Sequence, residues 1–161
     1  MLFVVAGDPW QKAGKVAAPA PDRVAMVEAA LDGLEGFEVS TIEVEREGPT
    51  YTSETLEHLA ASHPDAELFL VVGADAAAQL GTWHRPDAVR DLATLAVVAR
   101  EASAPAAPGP GWRVVQVEMP RLDVSSTDLR RRVAEERPID WLVPPGAVRW
   151  IRERGLYAGR T

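Results

Sequence analysis

The sequence predicts an α/β fold in which a mostly parallel, doubly wound sheet lies between layers of helices. Short apolar runs rich in Val, Leu and Ile are the first observation, because such runs are typical of buried strands. They lie at 2–6, 37–44, 68–72, 95–99 and 114–117. Amphipathic helical patterns between most of these runs are the second observation. The alternation of the two patterns indicates a parallel sheet with helices on both faces.

The predicted helices follow from the spacing of apolar residues and from residues that start or stop a helix. They cover 23–34, 54–62, 87–94, 127–136 and a closing segment, 144–157, with a short helix after Asp75. In the first helix, Val27 and Leu34 are expected to face the core. The closing helix is expected to bury Val148 and Ile151 and to end at Gly155.

The composition fits one globular domain over residues 1–161. The chain is 47% hydrophobic and 25% charged, and a chain of this length buries a sizeable core without disulfides. The lack of cysteine excludes disulfide frameworks, thiolate nucleophiles and zinc–cysteine clusters. A net charge of -7 disfavours nucleic acid as a partner. No apolar run reaches the ~18 residues of a membrane span, so we expect a cytoplasmic protein that binds small molecules.

Candidate binding residues follow the predicted strands, because ligands of open α/β sheets bind beyond the carboxyl ends of the strands. The loop after the first strand begins at Gly7 and ends at the cation Lys12. After the third strand, Gly73 permits close backbone approach, and Asp75 is suited to accept hydrogen bonds from a ribose hydroxyl. Taken alone, Lys12 is better explained as a solvated turn residue. For Asp75, a role as a helix cap only is about as well supported as a binding role.

Two predicted helix starts also carry groups suited to anions. Ser125, Thr127 and Arg130 combine free backbone N–H groups, the helix dipole and a guanidinium, which together favour a polyphosphate. A simple helix cap is the alternative. The loop 48–55 leads into another capped helix, whose first N–H groups suit a carboxylate. Trp83 follows a short helix, and a purely structural role in the core is its alternative.

The histidines do not suggest a metal site, because none of them has a partner at metal-ligand spacing. His58 and His63 are interpreted as solvated residues of one helix. The sequence also lacks a G-x-S-x-G segment, a Walker A loop and a G-x-G-x-x-G fingerprint. No metal ligands are therefore predicted from the sequence.

Six segments, taken in order, resemble bacterial nicotinate mononucleotide adenylyltransferases. They are Pro9-Trp10-Gln11-Lys12, Asp22-Arg23-Val24-Ala25-Met26-Val27, Glu47-Gly48-Pro49-Thr50-Tyr51-Thr52-Ser53-Glu54-Thr55-Leu56, Val72-Gly73-Ala74-Asp75, Trp83-His84 and Val124-Ser125-Ser126-Thr127-Asp128-Leu129-Arg130. The ending, 142–157, is also similar to that family's. Each motif is weak alone, but their common order and separations along essentially the whole chain make coincidence an unattractive explanation.

The resemblance implies a Rossmann-like nucleotidyltransferase fold and a reaction of NAD biosynthesis. In that reaction the phosphate oxygen of nicotinate mononucleotide attacks the α-phosphorus of ATP, giving deamido-NAD and pyrophosphate. The protein positions the reactants and stabilises charge, with Mg²⁺ on the polyphosphate. The implied partners are therefore ATP and nicotinate mononucleotide.

The resemblance also implies roles for single residues. Those expected to contact ATP are Lys12, Gly73, Asp75, Ser125, Thr127 and Arg130. Those expected to contact the mononucleotide are Tyr51, Thr52, Trp83 and His84. By the resemblance, Ser125, Thr127 and Arg130 hold the ATP phosphates, and Lys12 lies beside them. Gly73 and Asp75 contact the nucleotide sugar, Trp83 stacks on the pyridine ring, and Thr52 with its neighbours receives the nicotinate carboxylate.

The family's opening strand and its G-G-T-F-D-P-x-H-x-G-H loop have no counterpart in this sequence. The expectation is therefore an N-terminally truncated fold without the catalytic histidine pair, with little turnover and poor solubility as it stands. A start codon assigned too late is the preferred explanation, and a gene that has lost its front is the other. The functional alternatives are a non-catalytic nucleotide-binding remnant and another adenylyltransferase of the superfamily, such as one that uses phosphopantetheine.

Overall fold

A computed structural model describes residues 1–9, 18–98, 109–120 and 122–159. The chain divides into two compact units. The first unit joins Met1–Thr50 to Asp123–Thr161, and the second unit is Tyr51–Leu122. A single folding domain over residues 1–161 stays a prediction.

Strands and helices alternate along most of the chain. The strands are β1 (Leu2–Val4), β2 (Asp8–Pro9), β3 (Glu38–Ser40), β4 (Pro49–Thr50), β5 (Leu68–Gly73), β6 (Ala93–Val98) and β7 (Val114–Val117). The helices are α1 (Ala20–Leu31), α2 (Thr52–Ser62), α3 (Ala74–Ala78), α4 (Pro86–Leu92), α5 (Ser126–Ala134) and α6 (Pro145–Glu153), with a 3₁₀ turn at Leu80–Thr82. Within the described ranges, no helix is long and apolar enough to span a membrane.

Every strand pair is parallel, which confirms the predicted parallel α/β class. In the first unit, β1 pairs with β3 and β2 pairs with β4. In the second unit, the strand order is β5-β6-β7. Each predicted run contains a strand, whereas β2 and β4 have only two residues each and show no apolar pattern in the sequence.

Some predicted boundaries are wrong, and pairing between strands explains the clearest case. The helix predicted to reach residue 94 ends at Leu92, because Ala93 and Thr94 open β6 and pair with β5. Residue 99 of the predicted strand lies outside the described residues. The strand predicted at 37–44 covers only Glu38–Ser40, and a turn follows in which Glu45 N–H donates to the Thr41 carbonyl at 2.9 Å.

The first unit is organised around the packing of α1 on α6. Val148 and Ile151 of α6 are buried with Ile139, which confirms their predicted direction. Gly155 has φ of +58° just beyond α6, as expected of a residue that ends a helix. Leu34 was predicted to face the core but is 52% exposed, because α1 ends at Leu31 and Gly33 turns the chain with φ of +77°.

Two side chains at the beginning of the chain are more exposed than their strand composition predicts. Leu2 of β1 is 39% exposed, and Phe3 is only half-buried against the ring of Phe37. Their exposure contrasts with the composition of this strand, which is typical of a strand buried on both faces. Within the described residues, the pairing partner of β1 is β3.

The core of the second unit lies between one face of its sheet and its helices. Val72 of β5 and Leu95 and Val97 of β6 pack with Leu80 and with Val89 of α4. Residues paired in a parallel sheet point to the same face, and successive residues point to opposite faces. This packing therefore determines which side chains of β5 face the helices. The last residue of the strand, Gly73, lies at the edge where ligands are expected.

Candidate active site

The start of α5 carries the hydroxyls and the guanidinium that the sequence analysis assigned to a predicted anion site. Ser125 is the N-cap, and its Oγ accepts a hydrogen bond from the Asp128 N–H at 3.1 Å. The simple cap interpretation is thus confirmed for Ser125. Thr127 is exposed in the first turn, and its Oγ1 accepts a hydrogen bond from Arg130 at 3.4 Å. The hydroxyl of Thr127 and the guanidinium of Arg130 are therefore adjacent.

The charges of three consecutive arginines on α5 are balanced differently. Arg131 and Arg132 both donate to the Asp128 carboxylate, and Arg131 also lies 3.6 Å from Glu135. These hydrogen bonds, that from Arg132 first and that from Arg131 second, hold the pKa of Asp128 below its usual value. Among the described residues, no carboxylate forms an ion pair with Arg130. Its positive charge is consequently available for an anionic ligand.

Tyr157 adds a phenol to this part of the first unit. Burial raises the pKa of Tyr157, while the nearby positive charges of Arg130 and Arg23 act in the opposite direction. Both guanidinium groups therefore lie close enough to the phenol to influence it. The sequence analysis assigned Tyr157 no function, although it lies in the C-terminal segment that resembles the family.

The predicted mononucleotide residues are partly brought together in the second unit. The ring of Tyr51 lies against that of His84, with centroids 4.1 Å apart and an interplanar angle of 30°. Tyr51 is also the N-cap residue of α2, whose first turn contains Thr52 and Ser53. The helix itself provides no acceptor for the N–H groups of these two residues. A helix start and an aromatic pair thus lie side by side.

An ion pair that the sequence analysis missed joins the same two segments. Arg85 donates from Nη1 to Glu57 Oε2 at 3.1 Å and from Nη2 to Glu57 Oε1 at 2.6 Å. The hydrogen bonds and the charge of Glu57 raise the pKa of Arg85. Arg85 follows His84 and adopts a left-handed conformation with φ of 50°, so it begins α4 at a sharp turn. Glu57 and Arg85 are 28 residues apart, so no local sequence pattern predicts their pairing.

One polar side chain is buried at the start of α2 without a hydrogen-bond partner. Ser53 is fully buried, and its Oγ meets no acceptor or donor in the structure. Buried polar atoms are nearly always hydrogen-bonded, because an unmet partner costs free energy. This unpartnered Oγ lies next to Thr52 in the first turn of α2.

Gly73 and Asp75 lie where β5 ends and α3 begins. Gly73 is both the last residue of the strand and the N-cap of the helix, and no atom lies within 4 Å of a Cβ built on it. Asp75 is exposed in the first turn and makes no cap hydrogen bond. The interpretation of Asp75 as merely a helix cap is therefore wrong, because the cap position belongs to Gly73.

The remaining predicted residues are Trp83 and Lys12. Trp83 is half-buried and packs against the core cluster of the second unit, so the structural interpretation explains at least part of its ring. Lys12 lies outside the described residues. His58 and His63 are exposed, as expected for solvated positions.

Comparison with known proteins identifies the family. A cytidylyltransferase-like family model matches residues 1–132. A probable nicotinate-nucleotide adenylyltransferase of Saccharopolyspora erythraea is 42% identical over 160 residues, which are 99% of this chain and 76% of the relative. One of Streptomyces coelicolor is 44% identical over 160 residues, covering 99% of this chain and 85% of the relative.

The chain belongs to the nicotinate-nucleotide adenylyltransferase family. The resemblance seen in the sequence motifs is thereby confirmed, and a phosphopantetheine-using branch of the superfamily is not the family of this chain. Among solved structures, Plasmodium falciparum nicotinic acid mononucleotide adenylyltransferase complexed with NaAD has a TM-score of 0.75 and 15% identity, over 97% of this chain and 81% of that chain. This likeness confirms the Rossmann-like fold of the nicotinate-nucleotide adenylyltransferase family.

A protein-built metal cage is not part of the described portion of this adenylyltransferase. No group of three or more His, Asp or Glu side chains in that portion is arranged to hold an ion.

Proposed function

We propose that this protein catalyses adenylyl transfer from ATP to nicotinate mononucleotide, a step of NAD biosynthesis. The mononucleotide's phosphate oxygen forms a bond to the α-phosphorus of ATP, and the bond from that phosphorus to pyrophosphate breaks. The products are deamido-NAD and pyrophosphate, and no covalent intermediate with the protein is required. The observation that carries this proposal is membership of the family over 99% of the chain.

The first unit supplies the groups for the polyphosphate of ATP in this proposal. Arg130 contributes a guanidinium that no described carboxylate pairs with, and the dipole of α5 adds partial positive charge at the same place. Ser125 and Thr127 contribute hydroxyls, and Lys12 a further cation. Groups of this kind accelerate the reaction when they are held in place before charge develops on the phosphates.

The second unit supplies the groups for the sugar and the pyridine ring. Gly73 leaves space for close approach, and exposed Asp75 accepts hydrogen bonds from a ribose hydroxyl. Trp83 stacks on the pyridine ring with one face, while its remainder packs against the core. This dual role accounts for the half-buried state of the indole.

The nicotinate carboxylate binds at the start of α2 in this proposal. Its oxygens accept hydrogen bonds from the first-turn N–H groups near Thr52, where the helix dipole also favours negative charge. Tyr51 and His84 form the aromatic wall beside that helix start. Nicotinamide carries no negative charge, so the same donors favour nicotinate mononucleotide over nicotinamide mononucleotide.

Mg²⁺ enters with ATP. The ion would be held by the phosphates of ATP and by water, as is usual for Mg²⁺ at nucleotide sites. When bound, it neutralises part of the polyphosphate charge. The residues of the chain do the remaining work: Arg130 and the α5 dipole stabilise the phosphates, and α2 orients the pyridine carboxylate.

The test combines product formation with binding. Pyrophosphate release should require both ATP and nicotinate mononucleotide, and isothermal titration should detect each nucleotide separately. Binding of both without product would support a non-catalytic nucleotide-binding protein. The titration is also independent of the prediction that turnover of the 161-residue chain is slow. Failure to bind either nucleotide would contradict the proposal.

A further inference from the structure

The Asp22–Arg23 pair at the start of α1 belongs to a motif that the proposed function leaves unused. Arg23 points back to the loop after β1 and donates from Nη1 to the Ala6 carbonyl and from Nη2 to the Gly7 carbonyl, the latter at 2.8 Å. A guanidinium presents its donors in a rigid planar fork, so it fixes two successive carbonyls at once. A lysine ammonium at this position lacks that fork.

The same loop is held from two other sides. A Cβ built on Gly7 would overlap the Glu43 carbonyl oxygen, so the backbone lies too close there for any side chain. The residues that follow, Asp8 and Pro9, pair with β4. The loop between β1 and β2 is therefore positioned by sterics, by strand pairing and by Arg23.

The helix that carries Arg23 is itself anchored. Asp22 is buried, and its Oδ1 accepts hydrogen bonds from Trp150 Nε1 at 3.2 Å and from Arg154 Nε at 3.1 Å. These contacts tie the first turn of α1 to α6. The helix backbone that carries Arg23 is thus held in place. The Nε of Arg23 is buried without a hydrogen-bond partner.

The position of Arg23 connects it to the proposed phosphate group. Arg23 and Arg130 both lie close enough to the phenol of Tyr157 for their charges to lower its pKa. The carboxyl end of β1 is also the edge at which open α/β sheets bind ligands. An arginine whose structural role is confined to α1 would not be expected to donate to the loop carbonyls at that edge.

We propose that Arg23 is a positioning residue for adenylyl transfer: it holds the backbone of the loop after β1 in the conformation that receives the polyphosphate of ATP. This inference rests on the proposed function. The Nη1 and Nη2 groups of Arg23 donate to backbone carbonyls. Arg23 therefore acts through the loop and does not contact the reacting atoms.

The test compares Arg23→Lys with Arg149→Lys, a matched change at an exposed arginine of α6 in the same unit. Arg23→Lys keeps the charge but loses the fork, so amide hydrogen exchange of residues 5–8 should accelerate while exchange of α6 stays unchanged. The value of kcat/KM for ATP should fall about 10- to 100-fold, since a displacement of ~1 Å costs that much. The KM for nicotinate mononucleotide should change less than twofold.

Each outcome decides the inference. Equal losses for both substrates, or equal effects of Arg23→Lys and Arg149→Lys, would overturn it, as would unchanged amide exchange at residues 5–8. Arg23→Ala should accelerate exchange further, and if it fails to fold, the lysine variant still gives the answer. If the wild-type chain binds neither nucleotide, the proposed function fails, and the exchange measurement alone then shows whether Arg23 holds the loop.

Discussion

Replacing Arg130 with alanine should weaken ATP binding selectively. In the structure the guanidinium of Arg130 donates to the Thr127 hydroxyl at 3.4 Å and has no carboxylate partner among the described residues. Its removal therefore breaks no ion pair among the described residues, and we expect the loss to appear mainly in ligand binding. A charge-assisted hydrogen bond contributes ~1.5 to 3 kcal/mol, which corresponds to about a 10- to 150-fold change in affinity.

The neighbouring arginine provides a matched control. The Arg131 side chain is 56% exposed on the same helix, and its charge is already balanced by Asp128 and Glu135. Arg131→Ala should therefore change ATP affinity by no more than about twofold and leave the stability nearly unchanged, as is usual for exposed pairs. The comparison separates a specific contact from a general loss of positive charge.

Isothermal titration of ATP and of nicotinate mononucleotide is the direct assay. Arg130→Ala should lose affinity for ATP while its affinity for the mononucleotide stays within about twofold, because the latter is proposed to bind in the second unit. Raising the salt concentration should also reduce ATP binding more in the wild type than in Arg130→Ala, since the attraction is screened. The reasoning is refuted if both substrates lose equally, or if Arg131→Ala matches Arg130→Ala.

Three further predictions concern the pyridine ring, acid sensitivity and helix packing. Trp83→Ala should weaken nicotinate mononucleotide by ~1 kcal/mol or more, about fivefold, without weakening ATP, whereas Trp83→Phe should keep most of the affinity in the same titration. For Asp128, the folded pKa lies below 3.8, so its ion pairs stabilise the fold above that pH and lose their effect as pH falls through the lowered pKa. The Tm advantage of the wild type over Asp128→Asn should therefore shrink between pH 7 and about pH 3. Gly146→Ala should destabilise by ~1 to 3 kcal/mol in urea unfolding, because a Cβ on Gly146 overlaps a backbone carbonyl of α1.

Each of these three has an outcome that would contradict it. Equal losses of ATP and mononucleotide in Trp83→Ala would mean that the indole acts through the core alone. A Tm difference for Asp128→Asn that stays constant from pH 7 to about pH 3 would remove the assigned role of its carboxylate. A Gly146→Ala variant as stable as the wild type would show that α1 and α6 separate easily, since alanine otherwise favours helices by ~1 kcal/mol over glycine.

Local patterns predicted the helices best where the stop signal was itself local. Gly155 ends the region of α6 as expected, because a left-handed conformation at a helix end strongly favours glycine. Gly33 acts in the same way after α1, but the apolar spacing through Leu34 concealed it. The boundary between α4 and β6 was missed because Ala93 and Thr94 join the strand through pairing with β5, which no local pattern encodes.

The candidate site divides in the same manner. Ser125 was recognisable as a helix cap, and Gly73 as a glycine between a strand and a helix, because both roles depend on adjacent residues. The pair of Glu57 and Arg85 was missed, since its members are 28 residues apart and lie on different elements. The buried Oγ of Ser53 could not be foreseen either, because its lack of a partner depends on every surrounding atom.

The parallel α/β class, the order of the motifs and the family could all be predicted from residue types and from their spacing along the chain. The pairing of charged side chains, in contrast, became known only from the folded structure. It pairs Asp128 with Arg131 and Arg132 while leaving Arg130 without a described carboxylate, and it directs Arg23 to the backbone of the loop after β1. Electrostatic and steric interactions depend on the distances between atoms in space. Folding sets these distances, and the spacing of residues along the chain does not specify them.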